Sequence, residues 1–243
     1  MEPQLKPIPT GNPTTDQWTM PGPAAVSAAA PNQILRQTYW LLALSMLPTI
    51  AGAFVGMSLN LGAFYRASPF LAPLLMFGAM LGALFVVSSL RNSGWGVLAV
   101  FGFTFISGVT LAPTLQFAAG LKNGGQLVAL AGGMTAAVFF VMATIATVSK
   151  RDFSFLGKFL FVGLILLIVA MVANAFLQIP ALAVTVSAIG VLIFSLYLLH
   201  DLSAIVRGGE TNYIMATTRL FLDLLNLFLM LLNLLMIFSG QRD

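Results

Sequence analysis

The chain has 243 residues, of which 59% are hydrophobic and only 7% charged, with a formal charge of +4 and no cysteine. Soluble domains carry about 25% charged residues, so this chain cannot build a water-facing exterior, and most of its surface must meet a bilayer. No basic run or stripe is present, which excludes a nucleic-acid partner, and the missing thiols exclude disulfides, cysteine nucleophiles and cysteine metal ligands.

Residues 1–32 are rich in Pro, Thr, Ala and Gly, lack apolar periodicity, and read as a disordered cytoplasmic tail ahead of a transmembrane domain over 33–243. They lack the basic start and apolar core of a signal peptide. Long charge-free runs follow, and a spanning helix needs about 20 apolar residues. Runs bounded by Arg36, Arg66, Arg91, Lys122 and Lys150 predict helices over about 36–58, 69–90, 95–118 and 126–148. The run from Phe159 to His200 is twice too long for one crossing. Gln178-Ile179-Pro180 divides it into helices near 155–177 and 180–205, and a last helix covers about 214–238. The expectation is an all-α polytopic membrane protein with seven transmembrane helices.

Basic residues in the loops set orientation. With the N-terminus in the cytoplasm, that side holds Lys6, Arg36, Arg91, Lys150, Arg151, Lys158, Arg207 and Arg219, and the far side holds Arg66, Lys122 and Arg242. Eight against three predicts N-terminus in and C-terminus out. Glycines inside the runs, such as Gly78, Gly82, Gly102 and Gly108, are expected at close helix contacts. No internal repeat supports an inverted-repeat transporter.

Ionisable groups inside a bilayer are costly, so each one is a functional candidate. Asp201 lies about two turns before the loop Arg207-Gly208-Gly209-Glu210, and Asp223 two to three turns after it. At 1.5 Å per residue both sit roughly 10–15 Å from that loop. On two antiparallel helices joined by a short connection, the pair is expected at one depth. Arg219, Asp223, Asn226, Met230 and Asn233 follow steps of four, three, four and three, one polar stripe on an otherwise Leu- and Phe-rich helix. Such a stripe should face the bundle interior, which makes the last helix the candidate central one.

Two carboxylates close together in a low dielectric cannot both ionise cheaply; they share a proton and can sense pH. Doubly ionised, they also attract a hard cation such as Ca²⁺. No cofactor is expected beyond transient Ca²⁺ and H⁺. Arg91 and Arg219 are candidate charge partners, Arg91 as a latch. The structural alternative is that Asp201 caps its loop or pairs with Arg207, and that Asp223 pairs only with Arg219. His200, the only histidine, reads as a hydrogen-bonded interface residue, and Gln116, Asn174 and Gln178 as packing or interface polar groups. Catalysis is not expected. The aspartates lack the Gly-x-Gly-Asp context of intramembrane aspartyl proteases, no Gly-x-Ser-Gly element accompanies His200, and the last lysine, Lys158, lies too early for a retinal Schiff base.

Several segments carry a family resemblance: Arg151-Asp152-Phe153-Ser154-Phe155-Leu156-Gly157, Met171 to Gln178, Arg207-Gly208-Gly209-Glu210-Thr211-Asn212-Tyr213-Ile214, and Leu222-Asp223-Leu224-Leu225-Asn226-Leu227-Phe228. From about Arg36 onward the chain resembles the Bax inhibitor-1 (transmembrane Bax inhibitor motif) family, in its bacterial YccA-like branch. The resemblance implies six helices around a central seventh and a bacterial inner-membrane location. It implies an aspartate pair on the last two helices, matched by Asp201 and Asp223, that acts as a pH sensor on a calcium leak. It also implies an arginine latch on the second helix, for which Arg91 is the match. YccA-like members bind and modulate the membrane AAA protease FtsH. Residues 1–32 would suit such a protease as an unstructured handle.

Overall fold

The computed structural model describes residues 31–149 and 151–240; the tail expected over 1–32 falls almost wholly outside them. Every regular element among the described residues is α-helical: α1 (Pro31–Ser58), α2 (Leu61–Ala67), α3 (Leu71–Leu90), α4 (Gly96–Ala119), α5 (Gly124–Val148), α6 (Leu156–Leu177), α7 (Pro180–Val206) and α8 (Tyr213–Gly240). All but α2 are long and apolar enough to cross a bilayer, so the seven expected spans are present. The short α2 is unforeseen. Asn60 turns the chain through a left-handed backbone (φ 50°) after α1, and Gln116 of α4 holds the corner. Its amide donates to the Met57 carbonyl (2.9 Å), and its oxygen accepts the Gly62 N–H (2.8 Å).

The break between α6 and α7 follows the sequence signal. Gln178 is left-handed (φ 51°), the Asn174 side chain accepts the Ile179 N–H at 3.1 Å, and Pro180 opens α7 where no amide donor is needed.

α8 is the central span. It packs against α1, α3, α4, α5 and α7, whereas α6 packs along α7 and otherwise stacks Phe176 on Phe70 just before α3 (ring centroids 5.5 Å). The core follows that arrangement: Phe221 of α8 meets Phe103 of α4 edge to face, with ring centroids 5.7 Å apart. Outward, α3, α5 and α6 expose Phe77, Phe85, Phe140, Phe161 and Phe176, a surface that only lipid tails solvate.

The tightest seam is α1 on α4. A side chain at Gly52 would strike the Phe105 carbonyl, and one at Gly108 the Thr49 carbonyl. Gly52 and Gly56 on α1 oppose Gly108 and Ala112 on α4, the small-residue spacing that lets membrane helices close to backbone contact. Gly108 therefore plays the expected part. Gly78, Gly82 and Gly102 do not, since a side chain at each would meet nothing within 4 Å; they lie on faces turned away from neighbouring helices.

Candidate functional site

One end of the bundle gathers the α3–α4, α5–α6 and α7–α8 connections, and the last of these is a built structure. α7 closes in a Schellman cap: Gly208, left-handed at φ 75°, donates to the Ile205 carbonyl (3.1 Å), and Gly209 donates to the Ala204 carbonyl (2.8 Å). α8 then opens on Asn212, whose side-chain oxygen accepts the Met215 N–H at 3.1 Å as an N-cap. The Asn212 side-chain amide donates to the Arg91 carbonyl (3.0 Å) and to Asn92 Oδ1 (2.8 Å), tying the loop to the end of α3. Glu210 Oε1 accepts the Asn212 N–H at 3.0 Å. Arg207 donates to the Arg151 carbonyl, which binds the same loop to the start of the α5–α6 connection. The sequence motif Arg207-Gly208-Gly209-Glu210-x-Asn212 is thus a cap, a turn and a cap in succession.

This loop sets α7 and α8 antiparallel and places Asp201 and Asp223 within Coulombic reach of each other, with Tyr197 near both. Asp223 is buried, 7% exposed, and its Oδ2 accepts no hydrogen bond. Asp201 has its own partner, His200, whose Nδ1 lies 2.8 Å from Asp201 Oδ1. Gly157 of α6 leaves room for that imidazole: a side chain there would meet His200 Nε2 at 3.0 Å. Asp201, Glu210 and Arg219 line one narrow crevice between α7 and α8.

The arginines behave differently from the sequence expectation. Arg219 pairs with Glu210 at 3.3 Å and makes no salt bridge to Asp223, although its charge reaches that carboxyl. Helical side chains lean toward the N-terminus of their helix, so Arg219 reaches back to the loop rather than forward to the next turn. Arg91, exposed at the end of α3, forms no ion pair with either aspartate among the described residues; its backbone, not its guanidinium, meets the α7–α8 loop. The latch is therefore not made in this structure.

Of the remaining polar stripe on α8, Met230 faces α7. Met230 is buried against Gly190, where a side chain would come within 2.7 Å of its sulfur. Asn226 and Asn233 are half-buried, and Asn226 returns its amide to the Leu222 carbonyl of its own helix at 2.8 Å.

Asp152, unremarked as a site residue in the sequence, stands at the same end. The Ser154 hydroxyl and backbone N–H both donate to its Oδ1, at 2.7 and 2.9 Å. Those bonds, with Arg207 and His200 adding, hold its carboxyl below the usual aspartate range. Glu210 and Asn212 were visible only as motif letters; neither stands at helical spacing from its partner. Among the described residues no group of three or more His, Asp or Glu stands together as a metal site; Ca²⁺ takes about 6–8 oxygen ligands.

Seven spans around a buried carboxylate, closed at one end by a capped and ion-paired loop, define a polytopic α-helical membrane protein. The family described as inhibitor of apoptosis-promoting Bax1 matches residues 31–240. The chain is 39% identical over 212 residues to an uncharacterized protein of Neisseria meningitidis serogroup A, covering 86% of this chain and 93% of the relative. It is 38% identical over 210 residues to an uncharacterized membrane protein of Vibrio cholerae, covering 86% and 92%. It is 37% identical over 203 residues to the modulator of FtsH protease YccA of Escherichia coli K12, covering 83% and 88%. The chain belongs to the Bax inhibitor-1 family.

Proposed function

We propose that this protein is a pH-responsive cation leak of the bacterial inner membrane, N-terminus in the cytoplasm and C-terminus outside, with Asp201 and Asp223 as its proton sensor and Ca²⁺ as cargo. One observation carries the reading: Asp223, on the central span, is buried with an unpartnered carboxylate oxygen in the fields of Asp201 and, opposing it, Arg219. A structural ion pair would satisfy that oxygen; a titrating group needs it available. Gaining or losing a proton changes the repulsion between α7 and α8, and thereby how closely those helices pack. The orientation rests on the excess of basic residues at the sensor end of the bundle.

The test is calcium flux in proteoliposomes between about pH 6 and 8, comparing wild type with Asp201→Asn and Asp223→Asn. Flux whose pH dependence changes in both variants supports the sensor. Flux and pH dependence unchanged in Asp223→Asn would falsify it.

A second reading is modulation of the membrane protease FtsH without transport. It rests on the 37% identity to a protein named for that activity. Adding the purified chain to FtsH in liposomes and following proteolysis of a membrane substrate distinguishes the two. Slowed proteolysis together with absent calcium flux selects this reading.

A further inference from the structure

On the side of α8 away from Asp223 lies a slot that the acidic cluster does not use. Its walls are α1 and α5, whose backbones stay apart and which meet where Tyr39 packs edge to face on Phe139 (ring centroids 5.9 Å), and its floor is α8. Phe221 and Leu225 of the floor stand two residues from Asp223, which at 3.6 residues per turn puts them across the helix from it. The cavity has a volume of about 710 Å³ and opens sideways, where the bilayer is. Its lining is almost wholly apolar. The two threonines among its walls turn inward: Thr49 donates to the Ser45 carbonyl and Thr135 to the Ala131 carbonyl, both at 2.8 Å, so neither hydroxyl is offered to the slot.

The slot is bounded toward the start of α1 by Tyr39, packed on Phe139 of α5. Tyr39 lines it and also lines a second hollow at the start of α1, shared with Asn32, Leu35, Arg36 and Trp40. A guanidinium, an amide and two amphipathic rings stand there at the level of the membrane interface. Hydrocarbon below and a cation with hydrogen-bond donors above match the two ends of an anionic phospholipid.

We propose that this slot is a phospholipid site: one acyl chain lies between α1 and α5 against α8, and the phosphate headgroup rests on Arg36. The bilayer is the only source that can fill a lateral opening between two spans from the side. An apolar helix would bring no anion to Arg36.

Full-length protein in detergent is loaded with long-chain phosphatidylglycerol, and retained lipid is counted by native mass spectrometry. One phosphatidylglycerol retained per chain, in preference to phosphatidylcholine with the same acyl chains, is the expected result. Gly132 lines the slot and has open space where a side chain would go. Gly132→Leu therefore fills the slot and should weaken retention about tenfold or more, the worth of two displaced methylenes. Ala136→Leu, exposed on the same wall, repeats the test if the glycine variant folds poorly. Arg36→Gln should weaken phosphatidylglycerol about fivefold and leave phosphatidylcholine unchanged.

Retention unaffected by all three substitutions overturns the proposal. So does equal competition by dihexanoyl phosphatidylglycerol or inorganic phosphate, which would reduce the site to a headgroup contact. A second copy of the chain retained in place of lipid overturns it too, as does lipid retention that begins only when residues 1–30 are deleted.

Discussion

Arg219 and Glu210 form an ion pair at 3.3 Å that fastens the second turn of α8 to the loop before it. The arginine is half exposed and the glutamate nearly covered, with side-chain exposures of 51% and 16%. A pair open to water on one side contributes little, so Arg219→Gln should lower the unfolding free energy by about 1 kcal/mol or less, and less still in high salt. Thermal unfolding in detergent at two salt concentrations reads this. A salt-insensitive loss of about 3 kcal/mol or more would mean that Arg219 neutralises the buried Asp223 instead.

The α7–α8 connection should be sensitive at two points. Gly208→Val forces a β-branched residue into a left-handed backbone at φ 75°, at a cost of about 1–2 kcal/mol. Asn212→Ala removes the N-cap of α8 and both bonds to the end of α3, at a cost of about 1–2 kcal/mol. Hydrogen exchange at the first turn of α8 should quicken in both, more in Asn212→Ala, while the amides of α4 stay protected.

The spans were legible because charge placement and the need for about 20 apolar residues leave few ways to cut this chain. The inward face of α8 was legible for a related reason: Asp223 and Asn226 at helical spacing have nowhere else to go in lipid. What could not be read was local and directional. Asn60 and Gln116 build the α2 corner through contacts between distant segments. Arg219 stands four residues from Asp223, which suggested a pair, but side-chain lean turns it to Glu210. Which glycines touch a neighbour depends on which face each helix presents, and α3 is so uniformly apolar that no periodicity marks it.

The glycines give a paired contrast. Gly108→Leu drives a side chain into the Thr49 carbonyl and must separate α1 from α4, for a loss of about 2–3 kcal/mol. Gly82→Ala meets nothing within 4 Å and relieves the conformational entropy of a helical glycine, for a gain of about 0.5–1 kcal/mol. Unfolding midpoints should therefore move in opposite directions. A shared loss would place Gly82 at a contact as well.

Asp152 provides a pH dependence whose sign is fixed. Its carboxyl titrates below the usual range because Ser154 donates to it twice. The folded value is thus lower than the unfolded one. The stabilisation is present above the unfolded value and is lost as pH falls through the folded value. Carbon NMR of the labelled Asp152 carboxyl should show a depressed midpoint that returns to the ordinary range in Ser154→Ala. An unchanged midpoint would assign the depression to Arg207 and His200.

Asp223 separates a working carboxylate from a structural one. Its Oδ2 is buried without a hydrogen bond, a condition that costs a fold about 1–3 kcal/mol. Asp223→Val, apolar and of comparable size, should therefore raise the unfolding midpoint while abolishing the pH dependence of flux. Asp223→Asn keeps the shape and the polar burden and should change flux without that gain in stability. If both variants unfold more readily than wild type, the carboxylate holds α8 in place and is structural rather than working.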